Sequence, residues 1–458
     1  LKRPQDYRER EFMAGVFKVG DEVEASSSKT SVKILELLGS GGQGEVYRVK
    51  HQSSELALKW YFDHTATQSQ KSGIEKLIED GAPGTQFLWP VELVTSKGSS
   101  SFGYLMPLRA PRFRSFVDIV NARIDPTFET LMIVGLNLVD SFHKLHAAGL
   151  CYRDISFGNG FFDPSNGETL ICDNDNVSAN NSPSKSVLGT PDFMAPEVVL
   201  GKARPSRETD YFSLSVLLFY LFHIQHPLLG KKILSIRAWD LPAREKLFGS
   251  EPVFIFDPSD RSNEAVENPK LDPLGEAGKN AIPYWRSIYP QELKDAFTAS
   301  FTEGIRNPDR RLLATAWKRV LSNALNSITR CGCGSENFIE PSSKSRSCWS
   351  CGKLVESPFQ LETDRQIISA SSGRRILESH LTDTTLNAMS PQIGEIITHP
   401  QRKDVLGLCN KTNLTWTAQP ADASQMVTIL PGKSVPLCDG TVVIIGSSKI
   451  TIRKPTPK

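Results

Sequence analysis

The glycines at positions 39, 41, 42 and 44 stand between two β-rich runs, residues 31–38 and 44–49, and this placement constrains the fold more than any other feature of the chain. A G-x-G-x-x-G run that opened a helix would be a dinucleotide fingerprint, whereas between two antiparallel strands it lets backbone amides approach nucleotide phosphates from above. Taken alone, such a run marks a turn about as often, so its context decides. The next run, residues 56–62, contains Leu56-Ala57-Leu58-Lys59 and sets a lysine at the end of an apolar strand, which by itself reads equally as a solvated strand end. Residues 91–95 and 104–108 flank Ser96-Lys97-Gly98-Ser99-Ser100 and form a hairpin candidate. The first hundred residues thus read as a polar leader, 1–30, and a mostly β unit with one short helix near 72–78.

Beyond that unit the period changes. Leu131, Val134, Leu138, Phe142 and Leu145 recur at helical spacing, and further helical patterns cover 210–222, 293–301 and 314–327. Residues 230–281, rich in Pro, Gly, Asp and Asn, read as a long irregular insertion. From 367 onward short alternating strands return, punctuated by Pro431-Gly432 and Asp439-Gly440, as in a small all-β sandwich.

Composition excludes several function classes. With 53 basic and 51 acidic side chains the formal charge is +2, which offers no general surface for a polyanion, so nucleic acid is not an expected partner. Residues 1–10 lack the apolar core of a secretory signal. The longest apolar stretch, 214–222, is about half of what a bilayer span requires, so it reads as a buried helix and no membrane is expected. Four of the eight cysteines crowd between 331 and 351 as Cys331-Gly332-Cys333-Gly334 and Cys348-Trp349-Ser350-Cys351-Gly352. Four thiolates so grouped suit tetrahedral Zn²⁺ in a structural, ribbon-like site, although the shorter first pair leaves a redox pair or free thiols as the alternative. The pattern implies a reducing, cytoplasmic setting. Cys151, Cys172, Cys409 and Cys438 occur singly in apolar runs and read as core residues.

Downstream of Lys59 lie Tyr152-Arg153-Asp154 with Asn159 five residues past the Asp, Asp173-Asn174-Asp175, Gly189-Thr190-Pro191-Asp192-Phe193-Met194-Ala195-Pro196-Glu197, Asp210 and Arg311. In order and spacing these residues resemble the eukaryotic-type protein kinase family, including its bacterial members, over about residues 33–327. The resemblance implies an α+β, bilobal protein-kinase-like fold with an N-lobe at 31–108 and a C-lobe at 109–328. A zinc-ribbon-like module at 329–355, a linker at 356–366 and the all-β domain at 367–458 would follow. It further implies that Gly39, Ser40, Gly41, Gly42, Gln43 and Gly44, with Val46, Ala57, Met106 and Leu108, surround ATP. Lys59 would hold its α/β-phosphates, itself oriented by a helix carboxylate, Glu75 or in reserve Glu79. Asn159 and Asp173 would ligate Mg²⁺ or Mn²⁺, Asp154 would act on the substrate hydroxyl, and Arg311 would pair with Glu197.

The implied activity is ATP-dependent phosphorylation of Ser/Thr hydroxyls on proteins, the chain itself included. The alternative is a pseudokinase, a nucleotide-binding scaffold that recruits partners through its zinc and β modules. By analogy with bacterial relatives, a metal-dependent protein phosphatase and a von Willebrand A-type protein are candidate partners. Two departures bear on this: Ser156 stands where a lysine is usual, and Asp173-Asn174-Asp175 lacks the usual aromatic and glycine. If the segment after Leu170 is extended, Asp173 and Asp175 share a face and Asp175 supplements the metal site; otherwise Asp175 caps a turn. Ser182, Ser184, Ser186 and Thr190 are candidate phosphorylation sites beside Arg153. The stretch from Pro431 to Gly446 resembles forkhead-associated phosphopeptide modules. Gly373-Arg374 and Ser379-His380 lie too close together for that family's phosphothreonine site, which favours a packing or interaction domain.

Overall fold

Period-two alternation builds the first unit. In β1 (Glu22–Ala25), β2 (Ser31–Ser40), β3 (Gly44–His51), β4 (Ser54–Tyr61), β5 (Glu92–Thr95) and β6 (Phe102–Pro107), one face of each strand turns inward. Val23, Ala25, Val32, Ile34, Tyr47, Val49, Leu58, Trp60, Val94 and Leu105 fill the interior. In the computed structural model, which describes residues 15–180, 189–402, 404–421 and 425–455, these strands close as a barrel in the order β1-β2-β3-β4-β6-β5. The expectation of a polar leader through residue 30 is corrected here. Glu22–Ala25 pairs with both β2 and β5, because Val23 and Ala25 have apolar partners waiting at the open edge. Before β1 the chain is tied down as well, since Val16 N–H donates to Glu45 and the Phe17 ring meets Trp60 edge-on at 4.8 Å.

The other face of β4 carries Ala57, Lys59 and Tyr61 toward α1 (Gln68–Asp80) and the second lobe. Helix α1 starts where the Thr67 side chain accepts from Gln70 N–H and ends at Gly81, whose φ of 74° only glycine adopts freely. It buries Ile74 and Leu77, and the Trp89 indole donates to the Leu77 carbonyl at 2.8 Å.

The second lobe is organised by α2 (Phe128–Ala147) and α3 (Arg207–His223), both buried around most of their circumference, with α4 (Gln291–Phe301) and α5 (Ala314–Asn326) packed outside them. The apolar run 214–222 is the interior of α3, and among the described residues no helix is long and apolar enough to cross a membrane. Residues 230–281 are irregular over much of their length, but residues 241–250 are helical, which the composition does not suggest, and the segment is anchored: the buried Asn263 amide donates to the Leu228 and Val253 carbonyls.

Two short hairpins follow, Ile328–Arg330 with Glu336–Phe338 and Ser345–Ser347 with Leu354–Glu356. They are welded to the second lobe. Phe338 lies 5.5 Å from both Phe128 and Tyr289, and the Arg346 guanidinium donates to the Phe338 and Ser287 carbonyls.

The C-terminal part is a sandwich of a six-stranded and a four-stranded sheet. Residues expected to form a linker instead include Gln360–Glu362, a strand hydrogen-bonded on both edges whose Leu361 is fully buried in the sandwich core. The other surface of the sandwich docks on the second lobe. Arg374 donates to the Ile328 carbonyl at 2.7 Å, His380 Nε2 to Asn326 Oδ1 at 3.1 Å, and Leu386 N–H to the Ser322 hydroxyl at 2.8 Å. Gly373-Arg374 and Ser379-His380 therefore serve this junction, as a packing domain requires.

Candidate active site

The loop that carries Asp154 is fixed from below. Asp210, at the start of α3 and nearly fully buried, accepts the N–H groups of Tyr152 and Arg153 at 2.7 and 2.9 Å and receives His146 Nε2 at 2.9 Å. A buried carboxylate with three donors is a rigid post. It holds Arg153 at a φ of 75°, a left-handed turn that redirects the chain toward Asp154. The Asp154 carboxylate is half-buried and receives two side chains, the Thr190 hydroxyl at 2.7 Å and the Asn159 amide at 3.3 Å. The same Asn159 amide also donates to the Asp154 carbonyl at 2.8 Å, so these two residues orient each other. Glycine must follow Asn159, because a Cβ on Gly160 would lie 2.0 Å from the Phe116 ring.

Asp173 opens a tight turn with φ 52° and ψ 42°, a conformation Asp tolerates better than most residues. The Tyr152 hydroxyl donates to the Cys172 carbonyl just before it. Asn174, fully buried, sends its amide to the carbonyls of Leu88 and Ile171 at 2.9 and 3.1 Å. The position that lacks the usual aromatic is thus a polar clamp between the two lobes. A short parallel ladder, Leu88 N–H to Ile171 O and Ile171 N–H to Gln86 O, reinforces it. Asp173 leaves 42% of its side chain open toward the cleft, with one oxygen 3.4 Å from Lys59.

Two expectations are corrected at Lys59. Its close carboxylate is Asp175, whose oxygens lie 2.8 and 3.0 Å from Nζ and which also receives the Tyr61 hydroxyl. Residues 174–176 form a turn, so Asp173 and Asp175 do not project alike. Asp175 is fully buried against Lys59 and is not presented as a metal ligand. Glu75 lies on the exposed face of α1 and makes no pair with Lys59, and Glu79 pairs instead with Lys76 at 3.3 Å. The inner face of α1 presents Gln70, Ile74 and Leu77.

The electrostatics follow from this packing. Burial alone would lower the Lys59 pKa, but the charges of Asp175 and then Asp173 outweigh it and hold the ammonium well above its ordinary value. Burial, against the attraction of Lys59 and with the Asp175 charge beside it, raises the Asp173 carboxyl.

The roof is the turn between β2 and β3. Gly39, Ser40, Gly41 and Gly42 are exposed, and Gln43 is half-buried with its carbonyl receiving Phe62 N–H at 3.0 Å and the Thr65 hydroxyl at 2.6 Å. Gly44 is required by close approach, since a Cβ would sit 2.0 Å from the Trp60 carbonyl oxygen. Val46 faces Lys59 across the β3–β4 pair, and Ala57 faces Met106 across the β4–β6 pair, both of the latter buried, with Leu108 half-buried beyond. The Arg109 guanidinium lies 4.3 Å above the Phe161 ring. Tyr61, Asn174 and Phe161 were not foreseen. The one signal for Phe161 was its place two residues past Asn159 in an apolar run.

Farther out, Arg311 grips Glu197 with two bonds of 2.8 Å and donates to the carbonyls of Gly304 and Glu208. Ser182, Ser184 and Ser186 lie outside the described residues. Ser156, lacking the usual cation, is buried beside Asp154.

The four cysteines form a separate candidate metal centre. All four sulfurs lie within 4.8 Å of one another, with Cys331–Cys351 at 3.7 Å and Cys333–Cys348 at 3.8 Å. A tetrahedron with Zn–S bonds of ~2.3 Å has edges of about 3.8 Å, so this donor set fits the ion. The Ser335 hydroxyl, then its N–H, and the neighbouring thiols hold Cys333 down to about 6.

Comparison with known proteins agrees with this geometry. Residues 102–266 match the family described as the protein kinase domain. The cell cycle serine/threonine-protein kinase CDC5/MSD2 of Saccharomyces cerevisiae is 27% identical over 205 residues, covering 43% of this chain and 29% of that protein. A probable serine/threonine-protein kinase of Zea mays, CCRP1, is 26% identical over 190 residues, covering 40% and 30%. The human dual serine/threonine and tyrosine protein kinase is 34% identical over 95 residues, covering 21% and 10%. The chain spans less than a third of the length of these relatives. Residues 102–266 are thus similar to a protein kinase domain, and the similarity of the chain runs to serine/threonine kinases.

Proposed function

We propose that the chain is an ATP-dependent protein kinase that transfers the γ-phosphoryl group to Ser/Thr hydroxyls of proteins, itself among them. The observation that carries this reading is the convergence on one cleft of Asp154, Asn159, Asp173 and Lys59, with a threonine hydroxyl already donating to Asp154 at 2.7 Å. Asp154 accepts or orients the proton of the acceptor hydroxyl, a general-base role worth roughly 10²- to 10⁴-fold. Lys59 meets the α/β-phosphates, and the exposed glycine-rich turn of residues 39–42 covers them from the roof. Ala57, Met106 and Leu108 wall the base, and Phe161 offers it an aromatic floor.

Mg²⁺ or Mn²⁺, when bound, neutralises phosphate charge, and Asp173 with Asn159 are the residues that would hold it. The open carboxylate of Asp173 suits that task; the buried one of Asp175 does not. Four cysteine ligands leave no free coordination position, so the zinc we assign to Cys331, Cys333, Cys348 and Cys351 is structural. A reducing, cytoplasmic compartment, a protein phosphatase and a von Willebrand A-type partner belong to the same reading.

A second reading, a nucleotide-binding scaffold, draws on Ser156, which leaves the γ-phosphate without one customary cation. Incubation of the purified chain with labelled ATP and Mg²⁺ or Mn²⁺, with and without a generic protein acceptor, separates the two. Kinase activity predicts label in protein that Asp154→Asn nearly abolishes while nucleotide affinity stays within a few-fold. Binding without transfer, or undiminished transfer by Asp154→Asn, rejects the assignment.

A further inference from the structure

We infer that Asp175, and not a glutamate of α1, is the residue that positions Lys59 for the nucleotide, so that the lysine is set by a carboxylate of the turn after Cys172. This rests on the phosphotransfer reading above. Three observations carry it. Both Asp175 oxygens lie on the Lys59 ammonium at 2.8 and 3.0 Å, and the carboxylate is fully buried between Lys59 and the Tyr61 hydroxyl. A buried pair with a third hydrogen bond has one geometry available to it.

Helix α1 offers no substitute among the described residues. Its acids Glu75, Glu79 and Asp80 lie on the exposed face, the last two paired with Lys76, while Gln70, Ile74 and Leu77 face inward. The position from which a helix carboxylate would reach Lys59 is therefore occupied by an amide and aliphatic groups.

The turn itself packs against α1 but is also braced by groups outside it. Asn174 is bonded to Leu88 and Ile171, and the Tyr152 hydroxyl to the Cys172 carbonyl. The Lys59–Asp175 pair thus sits on a backbone joined to both lobes. Asp175 acts through Lys59 and is a positioning residue.

The test relocates the charge. Gln70 on the inner face of α1 interacts with the Tyr61 hydroxyl, the same group that Asp175 engages, so a glutamate there can reach Lys59. Full-length parent, Asp175→Asn, Gln70→Glu/Asp175→Asn and Glu75→Gln proteins are compared in two ways: calorimetric affinity for adenylyl imidodiphosphate with Mg²⁺, and the rate of phosphate transfer. Asp175→Asn is expected to weaken analogue binding severalfold and to lower the rate at least tenfold. The double variant should recover most of both, and Glu75→Gln should change neither. Parent-like binding and rate in Asp175→Asn overturn the inference while leaving the kinase reading intact. A loss that Gln70→Glu does not relieve also overturns it, because Asp175 is then a packing residue. A parent that neither binds the analogue nor transfers phosphate overturns both readings.

Discussion

Thr190 donates its hydroxyl to Asp154 Oδ1 at 2.7 Å, across 36 residues of chain. Thr190 was a candidate for activating phosphorylation, and this contact argues for the opposite effect. A phosphate there would set about two negative charges beside the carboxylate proposed to take the acceptor proton. Thr190→Glu should therefore depress turnover at least tenfold and never raise it. Thr190→Val, which removes only the hydroxyl, should lower kcat with little change in KM for ATP. Steady-state kinetics on both variants check this, and activation by Thr190→Glu would contradict it.

Asn174 stands where an aromatic is usual, and its amide closes hydrogen bonds to Leu88 and Ile171 in a fully buried setting. Asn174→Leu keeps the volume and strips both bonds, leaving two carbonyls without that donor. Leaving a buried group unsatisfied costs about 1–3 kcal/mol, so unfolding midpoints should fall accordingly and activity should fall with them. Asn174→Phe, which restores the usual residue type, should be worse, since an amide-sized site must then take a ring.

Much of this was legible in the chain through its resemblance to the protein kinase family. The glycines of residues 39–44, Lys59, Asp154, Asn159, Asp173, Asp210, Glu197 and Arg311 carry that resemblance in their order and spacing, and the structure joins Asp210 to the 152–154 loop and Arg311 to Glu197. What could not be read depended on direction. Glu75 and Gln70 are both polar residues of α1, and only the phase of the helix against the barrel decides which faces Lys59. The role of Asp175 turned on whether residues 173–176 are extended or turned, a difference of one φ at Asp173. Strand β1 and the strand Gln360–Glu362 read as leader and linker in the sequence because short strands with few apolar residues acquire their pairing only from distant partners.

Arg311 is almost fully buried and pairs with a Glu197 that is itself mostly buried. Breaking such a pair from one side leaves an uncompensated charge and typically costs about 3–5 kcal/mol. Arg311→Ala should lower the unfolding midpoint by that order, and Arg311→Lys should recover only part, because one ammonium cannot reproduce two parallel bonds together with those to Gly304 and Glu208. Chemical denaturation of the three proteins tests this.

Zinc removal should reach beyond its own hairpins. The Trp349 indole donates to the Glu336 carbonyl, and its ring meets Phe128 of α2 at 6.0 Å. A chelator, or Cys348→Ser, should therefore release one zinc per chain and also raise hydrogen exchange near Phe128 and Phe338. Elemental analysis of reduced, unchelated protein that finds no zinc would contradict the assignment.

The junction between the second lobe and the β sandwich should be acid-sensitive through His380. Its Nδ1 accepts Leu377 N–H at 2.8 Å and its Nε2 donates to Asn326 Oδ1 at 3.1 Å, so the folded ring is neutral and has no room for a second proton. Burial, and then the positive charge of Arg374, hold its pKa at about 3 against an ordinary 6.5. Above 6.5 neither the folded nor the unfolded chain binds this proton, and the contribution to stability is complete. As the pH falls below that value the unfolded chain takes up a proton that the folded chain refuses, and stability is lost progressively toward the folded value. At about pH 5 the loss from this one group is on the order of 2 kcal/mol. His223, pushed by burial to about 3, and His226, pushed by burial to about 4 against the charge of Asp192, act in the same direction within the second lobe. The share of His380 is therefore isolated by difference. His380→Asn should be less stable than the parent at pH 7.5, yet it should lose about 2 kcal/mol less between pH 7.5 and pH 5 when both are unfolded in urea. Equal pH dependence in the two proteins would mean that His380 takes up its proton as readily in the folded junction as in the unfolded chain, against this reading.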